Sequence, residues 1–130
     1  MIAPLAIPAL SPVPSERAAI IIDLIGDVDA LAARSFGEAV DRLAEGEETI
    51  LLNLQRVAAL HASGVTVLAS TIAERRRRGV AIDVVADGRR VRVALQAARV
   101  PSRLPVAGDR WARRRHVMIV HNADPNRDCA

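Results

Sequence analysis

Along most of its length the chain alternates between two hydrophobic patterns: short β-branched runs, and longer stretches with apolar residues every three or four positions. An apolar run of four to eight residues bounded by turn formers predicts a buried strand, and the longer period predicts a helix with one apolar face. Ala18 to Ile25 (AAIIIDLI), Thr49 to Leu54 (TILLNL) and Val80 to Val85 (VAIDVV) are of the first kind. Leu5 to Leu10 contains Pro8, which a sheet tolerates only at its edge, so it reads as an edge strand. Ser11-Pro12-Val13-Pro14-Ser15 then reads as a loop.

Between these runs the helical period takes over. Asp29 is placed to cap a helix with Leu31, Phe36, Val40 and Leu43 on one face, ending near Gly46. Ser63 is expected to cap a second helix, with Val65, Leu68, Ala69 and Ile72 as its stripe and Gly79 as its stop. Arg89 to Ala98 predicts a third, with Val91, Ala94, Leu95 and Ala98 inward and Pro101 just past its end. Leu104 to Val106 reads as a short strand and Asp109 to about Ile119 as a final amphipathic helix. The order is β-β-α-β-α-β-α-β-α, an α/β fold. Its expected form is a mixed four- to five-stranded sheet, with an N-terminal antiparallel strand pair, parallel crossovers and about four helices packed on it. No linker divides the chain, so residues 1–122 are expected to form one domain and 123–130 a polar tail.

Composition sharpens this picture. Hydrophobic residues make up 51% of the 130, enough for one packed core, but aromatics are only 2%, so that core must be aliphatic. All 18 basic residues are arginine, and alanine is abundant, as in a high-GC bacterial coding sequence. Charge is uneven: residues 1–60 carry 4 arginines and 9 acids (−5), residues 61–130 carry 14 and 6 (+8). Two solvated faces of opposite sign explain this as simply as an acidic partner does. The single cysteine, Cys129, excludes an intramolecular disulfide and suits a reducing compartment. The apolar N-terminus has no basic start and is broken by Pro4 and Pro8, so neither a signal peptide nor a membrane span is expected, and the chain reads as cytoplasmic.

Two segments carry more specific information. Ile22-Asp23-Leu24-Ile25-Gly26-Asp27-Val28-Asp29 resembles the second strand and "G-E-L-D" turn of STAS domains, named for sulfate transporters and anti-sigma-factor antagonists. Leu51-Leu52-Asn53-Leu54, followed by His61-Ala62-Ser63-Gly64-Val65, resembles their central strand and the "D-S-S-G-L" loop that opens the next helix. Arg77-Arg78-Gly79-Val80 and the Val91 to Val100 helix resemble two further elements, with Arg99 standing where glycine is usual. The resemblance covers residues 18–106. It implies an anti-sigma-factor-antagonist type of protein-interaction module that binds an anti-sigma factor or serine-kinase-type regulator. In that family the first hydroxyl residue of the loop is phosphorylated, and the roughly −1.5 to −2 charge this adds at an interface releases the partner. By the same resemblance Asp27, Asp29, His61, Ala62, Ser63 and Gly64 form the partner-binding surface. Ala62 occupies the acceptor position and has no oxygen, which leaves Ser63 as the phosphorylation candidate, or leaves a phosphorylation-independent scaffold subunit of a larger complex.

Each of these residues also has a plain structural reading. Ser63 and Asp29 suit helix caps. His61 suits a solvated loop as well as a pH-sensitive substitute for the usual acid. The Arg75–Arg78 run complements a helix C-terminus, or joins Arg89, Arg90 and Arg92 in a basic patch. No aromatic residues interleave with the arginines, so direct nucleic-acid binding is not expected. His116 and His121, with Asp124, Asp128 and Cys129, fit no zinc spacing. No nucleophile elbow or phosphate-cradling glycine loop is present, so the chain is not expected to be an enzyme or to use a cofactor or metal. A homodimer is compatible with all of this.

Overall fold

The computed structural model describes residues 18–43, 49–105 and 113–121. These form five strands and three helices. In chain order they are β1 (Ala18–Val28), α1 (Ala30–Leu43), β2 (Thr49–Asn53), β3 (Val57–Leu60), α2 (Ala62–Arg77), β4 (Ala81–Val85), α3 (Arg89–Ala97) and β5 (Arg113–His121).

β1 is the centre of the sheet. Along one edge it pairs with β2, from Ala19 opposite Thr49 to Asp23 opposite Asn53. β3 continues on that edge, with Gly26 opposite Val57. Three residues of β1 thus face four of its partner, and a second shift falls between Gly26 and Asp27, where Ala58 is extra. Gly26 takes φ +96° at this irregularity, a conformation that costs only glycine little. The other edge of β1 is filled by β5, from Ala18 opposite Arg113 to Gly26 opposite His121. β4 completes the sheet beyond β2.

Every described pairing is parallel. The expected antiparallel N-terminal pair is therefore corrected. Leu5 to Leu10 lies outside the described residues, and the strand it was to pair with has both edges occupied along almost its whole length by parallel neighbours. The fourth helix is corrected too, because residues 113–119 of the Asp109–Ile119 region lie in β5. His116-Val117-Met118-Ile119-Val120-His121 has the β-branched alternation of a strand: Val117 and Ile119 pack on the core while Met118 (62%) and Val120 (59%) are exposed. Leu104 and Pro105 are not in a strand. The chain instead makes a single parallel bridge there, Arg103 with Val85. β3 was not anticipated, since Val-Ala-Ala-Leu is too short to show a period.

The core is aliphatic around one phenylalanine. Ile20, Ile22 and Leu24 of β1, Ile50 and Leu52 of β2, and Ile82 and Val84 of β4 alternate onto the same buried cluster as Phe36, Val40, Leu68, Ile72 and Leu95. On α1 the buried face is Ala32, Ala33, Phe36, Ala39 and Val40, with Leu43 half-buried. Leu31 was expected there but is 53% exposed, because five residues place it about 140° round the helix from Phe36. The stripe Val65, Leu68, Ile72 on α2 is buried as expected. α1 and α2 approach closely at Gly37, where a Cβ would sit 3.1 Å from Thr71 Cγ2. Arg75 closes that contact with a two-point bond to Asp41, Nε to Oδ1 at 3.0 Å and Nη2 to Oδ2 at 2.8 Å.

Both α2 and α3 end in the same Schellman hydrogen-bond pattern. Gly79 N–H donates to Arg76 C=O and Val80 N–H to Arg75 C=O; Arg99 N–H donates to Gln96 C=O and Val100 N–H to Leu95 C=O. The left-handed residue is Gly79 (φ +93°) in one and Arg99 (φ +62°) in the other.

Candidate partner-binding site

The residues read as a binding surface meet at the carboxyl end of the central strands. β1 ends in Gly26-Asp27-Val28, and Asp29 opens α1. β3 ends at Leu60, and His61 precedes α2. His61 N–H donates to Val28 C=O at 2.9 Å, tying the two turns together. Gly64 brings them closer still: a Cβ there would lie 2.3 Å from the Val28 carbonyl oxygen and 2.8 Å from its carbon. Backbone cannot yield to such an approach, so only glycine lets the first turn of α2 rest on the β1–α1 turn. That is the physical reason for glycine after Ser63.

Asp29 is committed to structure. Its Oδ1 accepts the Ala32 N–H at 2.9 Å, capping α1 as expected, while Oδ2 lies 3.0 Å from His121 Nε2. The Ala32 amide, and after it His121, hold the Asp29 carboxyl below the usual carboxylate range, against the opposing effect of its partial burial. Asp27 is half-buried on the strand side of the same turn.

Ser63 is not the cap of α2. His61 holds the N-cap position (φ −80°, ψ 152°) without a side-chain bond, and the helix begins at Ala62, two residues earlier than a Ser63 cap implies. The serine therefore stands in the first turn, and His61, Ala62 and Ser63 are all exposed. Its hydroxyl makes no capping bond, and a negative charge on it would sit beside the unpaired amides of a helix N-terminus. Asp27, Asp29, His61, Ala62, Ser63 and Gly64 are thus one contiguous surface in which Asp29 and Gly64 hold shape and the exposed trio presents side chains.

Sequence reasoning missed His121, which belongs to this site through Asp29. The signal was there in the alternation of the 116–121 run, which as a strand puts His116 and His121 on opposite faces. His116 Nε2 pairs with the buried Asp23 Oδ2 at 2.7 Å, and Asn53 Nδ2 donates to Asp23 Oδ1 at 2.7 Å. The two histidines therefore serve different carboxylates. Asp124, Asp128 and Cys129 lie outside the described residues, among which no group of three or more His, Cys, Asp or Glu is placed to hold a metal. No helix among the described residues is long and apolar enough to cross a membrane.

The Arg75–Arg78 run is not a patch of unpaired charge. Arg75 pairs with Asp41 and Glu74, Arg78 with Glu74 at 2.8 Å, and Arg76 donates to the Ile82 carbonyl at 2.7 Å.

Comparison with known proteins agrees with this geometry. No curated protein matches the chain. Among solved structures, the STAS domain of a SulP transporter from Vibrio cholerae superposes with a TM-score of 0.56 at 23% identity, over 81% of this chain and 85% of that one. The STAS domain family model matches residues 12–109, which span both turns of the site, all three helices and every strand but β5. The chain belongs to the STAS domain family.

Proposed function

We propose that the chain is a protein-interaction module of the anti-sigma-factor-antagonist type, docking an anti-sigma factor or kinase-type regulator on the surface formed by Asp27, Asp29 and the His61–Gly64 turn. One observation carries the reading: the exposed trio His61, Ala62 and Ser63 is seated by Gly64 directly on the acidic β1–α1 turn. A surface so fixed costs little to order on binding. Ser63 is exposed in the first turn of α2, so a phosphate there is tolerated by the domain while placing charge in the middle of the contact. The module acts in the cytoplasm, as a binding protein rather than an enzyme.

The test is incubation with the cognate kinase and ATP, mass spectrometry of the 57–75 peptide, and partner binding by the Ser63→Glu variant. Phosphate on Ser63 and a loss of binding at unchanged fold support the reading. An unmodified peptide with unchanged binding by Ser63→Glu overturns the switch. Ala62 at the usual acceptor position favours a second reading, a constitutive scaffold subunit, for which the unmodified surface is the whole of the function. A stressosome-like or lipid-transport-like assembly would then supply the partners.

A further inference from the structure

The arginines of α3 differ from those at the end of α2, where Arg77 alone lacks a side-chain partner among the described residues. Among the described residues, no ion pair or side-chain hydrogen bond engages Arg89, Arg90 or Arg92, whereas Arg75, Arg76 and Arg78 are all partnered. Arg89 and Arg90 also stand in the first turn of their helix, which has no acidic residue, and its N-cap, Gly88, offers no side-chain bond. Positive charge there opposes the helix dipole, so the arrangement works against the stability of α3. Arg89, Arg92, Val93 and Gln96 follow the three-to-four spacing of one helical face, with Arg92 on the side of it nearest the buried Leu95.

That face lines a cavity of about 520 Å³, within the size range of small-molecule sites. Ser102 adds a hydroxyl, and Val93 and Val100 give it an apolar wall. Its one acid among the described residues, Asp87, is bonded by Gln55 Nε2 at 3.3 Å. Arg92 is half-buried, and its Nε is fully buried without a hydrogen-bond partner among the described residues. A buried donor of this kind costs about 1–3 kcal/mol unless an acceptor reaches it. Two guanidinium groups one turn apart form the planar, bidentate donor set that suits phosphate and carboxylate oxygens.

We propose that this cavity is a binding site for a small organic phosphate, its phosphoryl oxygens on Arg89 and Arg92 and its apolar body against Val93 and Val100. The site uses α3 and the loop after β4, and stands whether or not the docking surface at the start of α2 binds a partner.

The experiment is a titration of the full 15N-labelled chain with phenyl phosphate, benzoate and inorganic phosphate, following the arginine Nε–Hε signals and the amides of 87–102 by NMR. Phenyl phosphate is expected to shift the Arg92 Nε–Hε signal and the α3 amides in a saturable way. Inorganic phosphate is expected to bind at least fivefold more weakly, and benzoate to bind more weakly than phenyl phosphate. Arg92→Gln and Arg89→Gln are each expected to weaken phenyl phosphate binding at least tenfold while the remaining spectrum stays folded. Should either variant fail to fold, the other and the three-probe ranking in the wild type decide. No saturable shift at millimolar phenyl phosphate, or equal affinity in a folded arginine variant, overturns the proposal. Inorganic phosphate binding as tightly as phenyl phosphate overturns the apolar half of the site, and tighter binding of benzoate overturns the phosphate assignment.

Discussion

Replacing Arg99 by glycine should make this protein more stable. Arg99 is the left-handed residue of the Schellman turn that ends α3, with φ +62°, and it is the only described non-glycine residue with positive φ. A left-handed conformation costs an ordinary residue about 1–2 kcal/mol. Glycine relieves that cost but adds about 0.4–1 kcal/mol of backbone entropy to the unfolded chain. The difference is a net stabilisation of about 0.8 kcal/mol. No ion pair or side-chain hydrogen bond among the described residues engages Arg99, which is exposed, so little is lost with the side chain. At about 2.1 cal/mol/K of unfolding entropy per residue, 130 residues convert this to a rise of about 3 °C in Tm. The matching turn supplies the control. Gly79 has φ +93°, and a Cβ there meets nothing within 4 Å, so Gly79→Ala tests the backbone term alone. It should destabilise by about 1 kcal/mol. Differential scanning calorimetry and urea titration of both variants check the pair. If Arg99→Gly lowers Tm, or Gly79→Ala raises it, the assignment of these two residues as left-handed caps is wrong.

Other outcomes follow from the same geometry. Gly64→Ala places a Cβ 2.3 Å from the Val28 carbonyl oxygen and should cost about 1–3 kcal/mol in urea unfolding, with amide shifts centred on Val28 and His61; unchanged stability would show that the two turns do not touch. Phe36→Ala removes the largest fully buried side chain among the described residues and should cost about 3–5 kcal/mol, measured the same way. Asp29 has its carboxyl held below the unfolded value of 3.8, so its contribution is complete above that pH and is lost as pH falls through the folded value. The stability gap between wild type and Asp29→Asn should therefore close as pH falls below 3.8; a gap still open in strong acid would contradict the lowered carboxyl value. Ser63→Glu adds an acid to the first turn of α2 and should leave Tm unchanged or slightly raised, since a charge there is worth about 0.3–1 kcal/mol.

The sequence was most legible where one period dominated. The continuous apolar runs of the Ile-rich β1 and the TILLN strand are buried strands in the structure, and Asp29 caps α1 as its side chain suggests. Legibility failed where local signals misled. Three arginines before His116 gave 109–119 the look of an amphipathic helix, although its β-branched end pairs along the edge of β1 that β2 and β3 leave to it. Ser63 has the residue type of a cap, but the contact of Gly64 with Val28 sets where α2 starts, and it starts two residues sooner. That contact is tertiary, so no local propensity encodes it. Of the site, the two turns were readable as motifs, while the bond from His121 to Asp29 spans 92 positions and depends on parallel pairing that only the folded sheet reveals.

The central claim is that the exposed turn at the start of α2 is where a regulatory protein docks. Site-specific photo-crosslinking from position 63 in cells of the source organism tests it most directly, with position 78 at the far end of α2 as the reference. A single crosslinked species from position 63, identified by mass spectrometry as an anti-sigma factor or kinase-type regulator and missing from position 78, is the expected result. Crosslinks to that regulator from position 78 but none from position 63 would contradict the claim.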